Sequence, residues 1–210
     1  MTHISAPEDV GALWLQLLQR AMTRASHDVK DALNGVSVNL EVIRSRAERA
    51  DTPATAVAQF AEAAANQLDR LTTLLEAVLV LGRPEREPVD VAFTLRRVAT
   101  LCNASSSNAD AAVRVAEEGM LESTTTRVDG SVTRIALLAP LLEASAGIDK
   151  KMRATEVTCT IGTHAEGVVV MMAAGSRRVA MPELIVETLR AGGVRWTEND
   201  SSLSLIFPRA

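Results

Sequence analysis

LQRAMTRASHDVKDALNGVSVNLEVI, residues 18–43, decides how the rest of the chain has to fold. Its apolar positions Leu18, Met22, Ala25, Val29, Leu33, Val36, Leu40 and Ile43 recur at steps of three or four. That is the period of one apolar stripe on an α-helix, sustained like a coiled-coil seam. Upstream, Trp14, Leu15 and Leu17 thicken the stripe, so this end is expected to pack on more than one neighbour. Acidic residues in Pro7-Glu8-Asp9 suit the positive end of a helix dipole, and the basic side chains of Arg44, Arg46 and Arg49 suit the negative end. A helix over residues 8–49 would be roughly 60 Å long at about 1.5 Å per residue. Such a helix is not stable alone and requires partners.

The first partner follows directly. Asp51-Thr52-Pro53 supplies a cap and a pre-set first turn, and Val57, Phe60, Ala64, Leu68, Leu71, Leu75 and Val78 repeat the helical step. A connection this short makes an antiparallel helical hairpin. One hairpin covers only one side of each seam, whereas two hairpins close a four-helix bundle, so a homodimer is expected. The competing arrangement docks the hairpin on the C-terminal part of its own chain.

Gly82-Arg83-Pro84-Glu85-Arg86-Glu87-Pro88 is a helix-stopping, charged linker. It divides the chain into a helical domain, 1–82, and a second domain, 83–210. Past it the pattern predicts extended chain over 88–92, a helix over 93–105, a short strand over 112–116 and a strongly apolar helix over 131–147. A hairpin of strands over 156–163 and 167–172, a helix over 182–190 stopped by Gly192-Gly193, and a final hairpin around Asn199-Asp200 follow. Hairpins interleaved with helices predict an α+β sandwich, with helices on one face of a mixed sheet.

Composition narrows the function. Across 210 residues, 47% are hydrophobic, so the chain is globular. Aromatics make up 2% with no tyrosine, and the net charge is -4, which argues against nucleic acid as a partner. Cys102 and Cys159 have no metal-ligand or redox spacing and read as small buried hydrophobes. Neither a signal-like start nor an apolar run long enough for a membrane is visible, so a cytoplasmic protein without a membrane partner is expected.

Ser26-His27-Asp28-Val29-Lys30-Asp31-Ala32-Leu33-Asn34-Gly35-Val36 resembles the phosphoacceptor box of sensor histidine kinases. In that box a histidine precedes an acidic residue, followed by Asn or Thr and then Pro-Leu. Asp28 stands at the acidic position, Asp31 at the Asn/Thr position, Ala32 at the proline and Leu33 at the leucine. Residues 86–91 resemble the opening strand of the kinases' ATP-binding domain, and residues 128–146 resemble the helix that carries the two asparagines of the nucleotide site. Those positions are Ala139 and Glu143 here. The adenine-gripping Asp-x-Gly reads Ala173-Ala174-Gly175, and the lid is cut to residues 176–182. The resemblance therefore implies that base recognition and Mg²⁺ binding are both lost and that ATP is not a ligand. Taken whole, the chain resembles the dimeric histidine phosphotransferases, built like a kinase core with a decayed ATP-binding half.

The helix itself supports a chemical role for His27. It lies about 200° round from Ala25 and faces away from the seam. An imidazole in water is largely neutral at pH 7 and offers a ring nitrogen as nucleophile. Asp28 is expected to orient the ring by accepting from its other nitrogen. Arg24 and Lys30, three residues to either side, are placed to offset a phosphoryl charge, and Asp31 and Asn34 to meet a docked partner. Response-regulator receiver domains are the expected partners, supplying the Mg²⁺, with no cofactor of the chain's own. The alternative is a non-catalytic pseudokinase that binds and regulates a receiver or a kinase. His164, with no second ligand near it, and His3 are not expected to hold a metal, and the serine and threonine runs at 105–107 and 123–126 lack a paired base.

Overall fold

The computed structural model describes residues 7–49, 53–83, 88–104, 113–118, 123–146, 156–175 and 178–210. The expected cap at Asp51-Thr52, most of the linker, the serines at 105–107, Arg177 and His3 lie outside the described residues.

Two helices form the N-terminal hairpin, α1 (Pro7–Ala47) and α2 (Thr55–Leu81). Arg46 closes the turn between them: its Nη1 donates to the Ala56 carbonyl at 2.7 Å and its guanidinium lies over the Phe60 ring, 4.6 Å from the centroid. Midway along, the Gln67 side chain occupies the space where a Cβ on residue 35 would fall, so Gly35 lets the helices approach closely.

The C-terminal part is an α+β sandwich. β1 (Val89–Asp90) pairs antiparallel with β3 (Thr125–Thr126) in a small separate sheet. The main sheet runs β2-β4-β5-β7-β6, from β2 (Val113–Glu117), β4 (Val157–His164), β5 (Gly167–Ala173), β6 (Arg195–Glu198) and β7 (Ser202–Phe207). β2 lies parallel to β4 and every other pair is antiparallel, which makes the sheet mixed as expected. Helices α3 (Val91–Asn103), α4 (Gly130–Ala146) and α5 (Glu183–Ala191) complete the part. The starts of α3 and α4 are capped locally. Asp90 accepts from the Phe93 amide at 3.0 Å, and Asp129 from those of Ser131 and Val132 at 2.8 and 3.2 Å. At the end of α5, Gly193 takes φ +77°, a conformation that stops a helix and suits glycine.

Alternate sheet residues Cys159, Ile161, Val168, Val170, Met172, Leu203, Leu205 and Phe207 are buried beneath the helices. α4 is buried on every side from Val132 to Leu142 because it lies between the sheet and α1. The core is continuous across the expected domain boundary. Trp14, Leu17, Leu18, Ala21 and Ala25 of α1 and Leu74 and Leu81 of α2 belong to the same buried cluster as α3, α4 and the sheet. The open end of the hairpin, where α1 starts and α2 ends, thus docks on its own chain.

The single seam read from the sequence divides in two. Leu18 and Ala25 turn inward, with Ala32 outside the seam beside them, while Met22, Leu33 and Leu40 are exposed, as are Leu15, Leu68, Leu75 and Leu79. Steps of three and four fill a broad arc of the helix, and one edge of that arc faces α2 while the other is left open.

Candidate functional site

His27 sits in the middle of α1, its side chain exposed and without a hydrogen bond or ion pair among the described residues. Lys30, Asp31 and Asn34 share its face and are exposed with it. Turning about 100° per residue places these within one or two turns of the imidazole. They form the polar part of the expected docking surface, and Val38, 63% exposed, lies on the same line three turns on.

The structure places two expected site residues elsewhere. Asp28 is turned toward α2, where its Oδ1 accepts from Arg70 Nη2 at 2.7 Å in an ion pair that is largely enclosed. One residue along a helix is a rotation of about 100°, which carries the carboxylate away from the imidazole and into the hairpin. The orienting bond from His27 to Asp28 is therefore not formed. Burial raises the Asp28 carboxyl above its ordinary range, the Arg70 charge and hydrogen bond pull it back, and the neighbouring Asp31 raises it further.

Arg24 also leaves the polar face. Its Nη1 donates to the Leu142 carbonyl at 3.3 Å, at the carboxyl end of α4. Beside it, Arg20 Nη2 meets Glu143 Oε1 at 3.0 Å. Cationic side chains at a helix carboxyl end complement its negative pole, so this docking is favourable electrostatically as well as apolar. A third arginine, Arg134 of α4, is 4% exposed; it donates to the Arg83 carbonyl at 2.7 Å and lies 5.7 Å from the Trp14 ring centroid. Arg20, Arg70 and Arg134 were not singled out by sequence. The one visible signal was a charge, Arg134, inside an otherwise apolar helix.

In the region that resembles a nucleotide site, the two asparagine positions hold other side chains. Ala139 is buried and has no side-chain oxygen to offer, and Glu143 presents a carboxylate already paired to Arg20. Arg178 is paired with Glu198 at 3.1 Å, and the second Glu198 oxygen accepts from the Met181 amide at 3.0 Å. Between them lies an open groove of about 410 Å³ lined by Glu143, Arg178, Met181, Glu183 and Leu184. Its wall carries two carboxylates, Glu143 and Glu183, and one guanidinium, Arg178. Among the described residues no group of three or more His, Cys, Asp or Glu side chains is placed to hold a metal. Nor is any helix long and apolar enough to cross a membrane. Burial pushes the thiols of Cys102 and Cys159 up to about 12, which keeps both unreactive.

The chain is similar to histidine kinase domains. The histidine kinase domain of the blue-light activated histidine kinase of Erythrobacter litoralis superposes with a TM-score of 0.43 at 14% identity, over 90% of this chain and 94% of that one. Histidine kinase AdeS of Acinetobacter baumannii gives 0.38 at 12% identity, over 87% and 97%. A bacterial phosphotransferase gives 0.41 at 14% identity, over 97% of each chain. No protein-family model matches the sequence, and no curated protein does.

Proposed function

We propose that the chain is a histidine phosphotransferase of a two-component phosphorelay, a dimer that carries a phosphoryl group on His27 between receiver-domain aspartates. The observation that carries this reading is the open position of His27, on a face of α1 that neither α2 nor the second part of the chain covers. In the forward step a ring nitrogen of His27 attacks the phosphorus of an aspartyl phosphate. An N–P bond forms, the P–O bond to the carboxylate breaks with its electron pair leaving on the aspartate, and the other ring nitrogen keeps its proton. The second step is the reverse, onto another aspartate. The receiver brings its own Mg²⁺; this chain supplies the nucleophile, Lys30 as a nearby cation, and Asp31, Asn34 and Val38 as docking surface.

The exposed leucines support the dimer. Leu33 and Leu40 of α1 and Leu68, Leu75 and Leu79 of α2 are each more than half exposed. The same rotation from the α1–α2 contact, taken on two antiparallel helices, brings both stripes to one side of the hairpin. Covering the exposed half of such a side chain contributes roughly 1 kcal/mol. A second hairpin set against this side would complete a four-helix bundle.

The test is transfer of label from a phosphorylated receiver. Acid-labile label is expected on the chain and is expected to fall to background in His27→Ala; label that persists in that variant would sink the assignment. One observation favours the second reading, a pseudokinase that binds and regulates without being phosphorylated: Asp28 is engaged by Arg70 and leaves the imidazole without its expected orienter. Receiver or kinase binding unchanged in His27→Ala, with no label on the native chain, is the outcome that reading requires.

A further inference from the structure

Resting on the reading of His27 as a phosphoryl carrier, we infer that Arg24 is shared between the carboxyl end of α4 and the phosphoryl group, so that charging the histidine loosens the seat of the second part of the chain on α1. Three features lead to this. Arg24 lies one helical turn before His27, a spacing at which side chains meet. Helical side chains tilt toward the amino end, so a phosphorylated His27 leans over the turn that carries Arg24 rather than the turn after it. Asp31, one turn on and exposed, repels a dianion and drives it the same way.

The Leu142 carbonyl is a weaker acceptor for Arg24 than a phosphoryl group. The bond to the neutral Leu142 carbonyl is long at 3.3 Å. A phosphoryl dianion offers charge-assisted, bidentate acceptance that matches the guanidinium fork. Moving Arg24 removes a cation from the negative end of α4 and leaves the Arg20–Glu143 pair, about half exposed on both sides, as the neighbouring polar tie there. Because coupling is reciprocal, the same contact makes α4 a competitor for the residue that neutralises the phosphohistidine.

The experiment charges the full chain with phosphoramidate. A His27 ring nitrogen attacks phosphorus, the reagent's P–N bond breaks, and ammonia leaves with a proton from solvent. Phosphorus NMR reports the phosphohistidine, and hydrogen exchange is read on peptides spanning residues 138–146 before and after. Exchange there is expected to quicken on the order of fivefold, the change that accompanies loss of one ordinary hydrogen bond. Arg24→Gln should show the faster exchange before charging and no further rise after it. Unchanged exchange in native protein whose NMR spectrum shows full phosphohistidine overturns the inference and leaves the carrier reading intact, with Lys30 alone serving the phosphoryl group. No phosphohistidine at His27 overturns both.

Discussion

The two halves of α1 have the same amphipathic pattern and opposite fates. Before His27, Trp14, Leu17, Leu18, Ala21 and Ala25 are buried while Leu15 and Met22 stay exposed; after it, Ala32 is buried while Leu33, Val38 and Leu40 stand in the open. The helix is therefore a beam clamped at one end, with the candidate acceptor just beyond the clamp. A partner that reaches His27 meets a helix packed into the core on the amino side and exposed leucines on the carboxyl side.

Disturbing the clamped half should have the largest effect on stability. Leu17→Ala removes a side chain that is 2% exposed and opens a cavity between α1 and the rest of the core; urea unfolding should show a loss of about 2–5 kcal/mol. The open half should respond in assembly rather than in folding. Leu33→Glu with Leu68→Glu sets charges where a second hairpin would bury leucine, and sedimentation should show the dimer dissociation constant rising by about a hundredfold or more with helix content unchanged. A smaller effect is expected at the border between the halves. Arg70→Ala strips the largely enclosed Asp28 carboxylate of its counter-charge, at a cost of about 1–3 kcal/mol near neutral pH.

The pH dependence of that last variant has a definite sign. The native Asp28 pKa is already raised, so its protonated form is the one the fold favours: that contribution is full below the ordinary carboxylate value and is lost as pH rises through the raised one. Without Arg70 the pKa rises further. The penalty for the variant should therefore shrink as pH falls into the acidic range, because protonated Asp28 no longer needs the cation. An unfolding series across pH checks this, and a penalty that grows on acidification would contradict the burial of Asp28.

The elements were legible in the sequence wherever a period ran long enough. Both long helices, the β4–β5 hairpin and the Gly192-Gly193 stop lie where spacing and turn residues put them. β3 was not legible, since Thr125 and Thr126 are two residues held by pairing with β1 across the chain. The α1 stripe was read as one seam because step counting does not distinguish the edge that meets α2 from the edge that meets nothing. Of the expected site, His27, Lys30, Asp31 and Asn34 do share an exposed face. The present partners of Asp28 and Arg24, Arg70 and the Leu142 carbonyl, lie 42 and 118 residues away, beyond the reach of any local pattern.

The Arg20–Glu143 pair spans 123 residues of chain. At a synthesis rate of about 5–20 residues per second, α1 waits roughly 6–25 s after emerging before α4 exists to receive it. Through that interval the hairpin carries Trp14, Leu17 and Leu18 uncovered beside its other leucines, an extended apolar surface on a nascent chain. Assembly of a partner hairpin during synthesis would compete for the same side chains, so the timing of translation bears on which surface of α1 becomes core and which stays available.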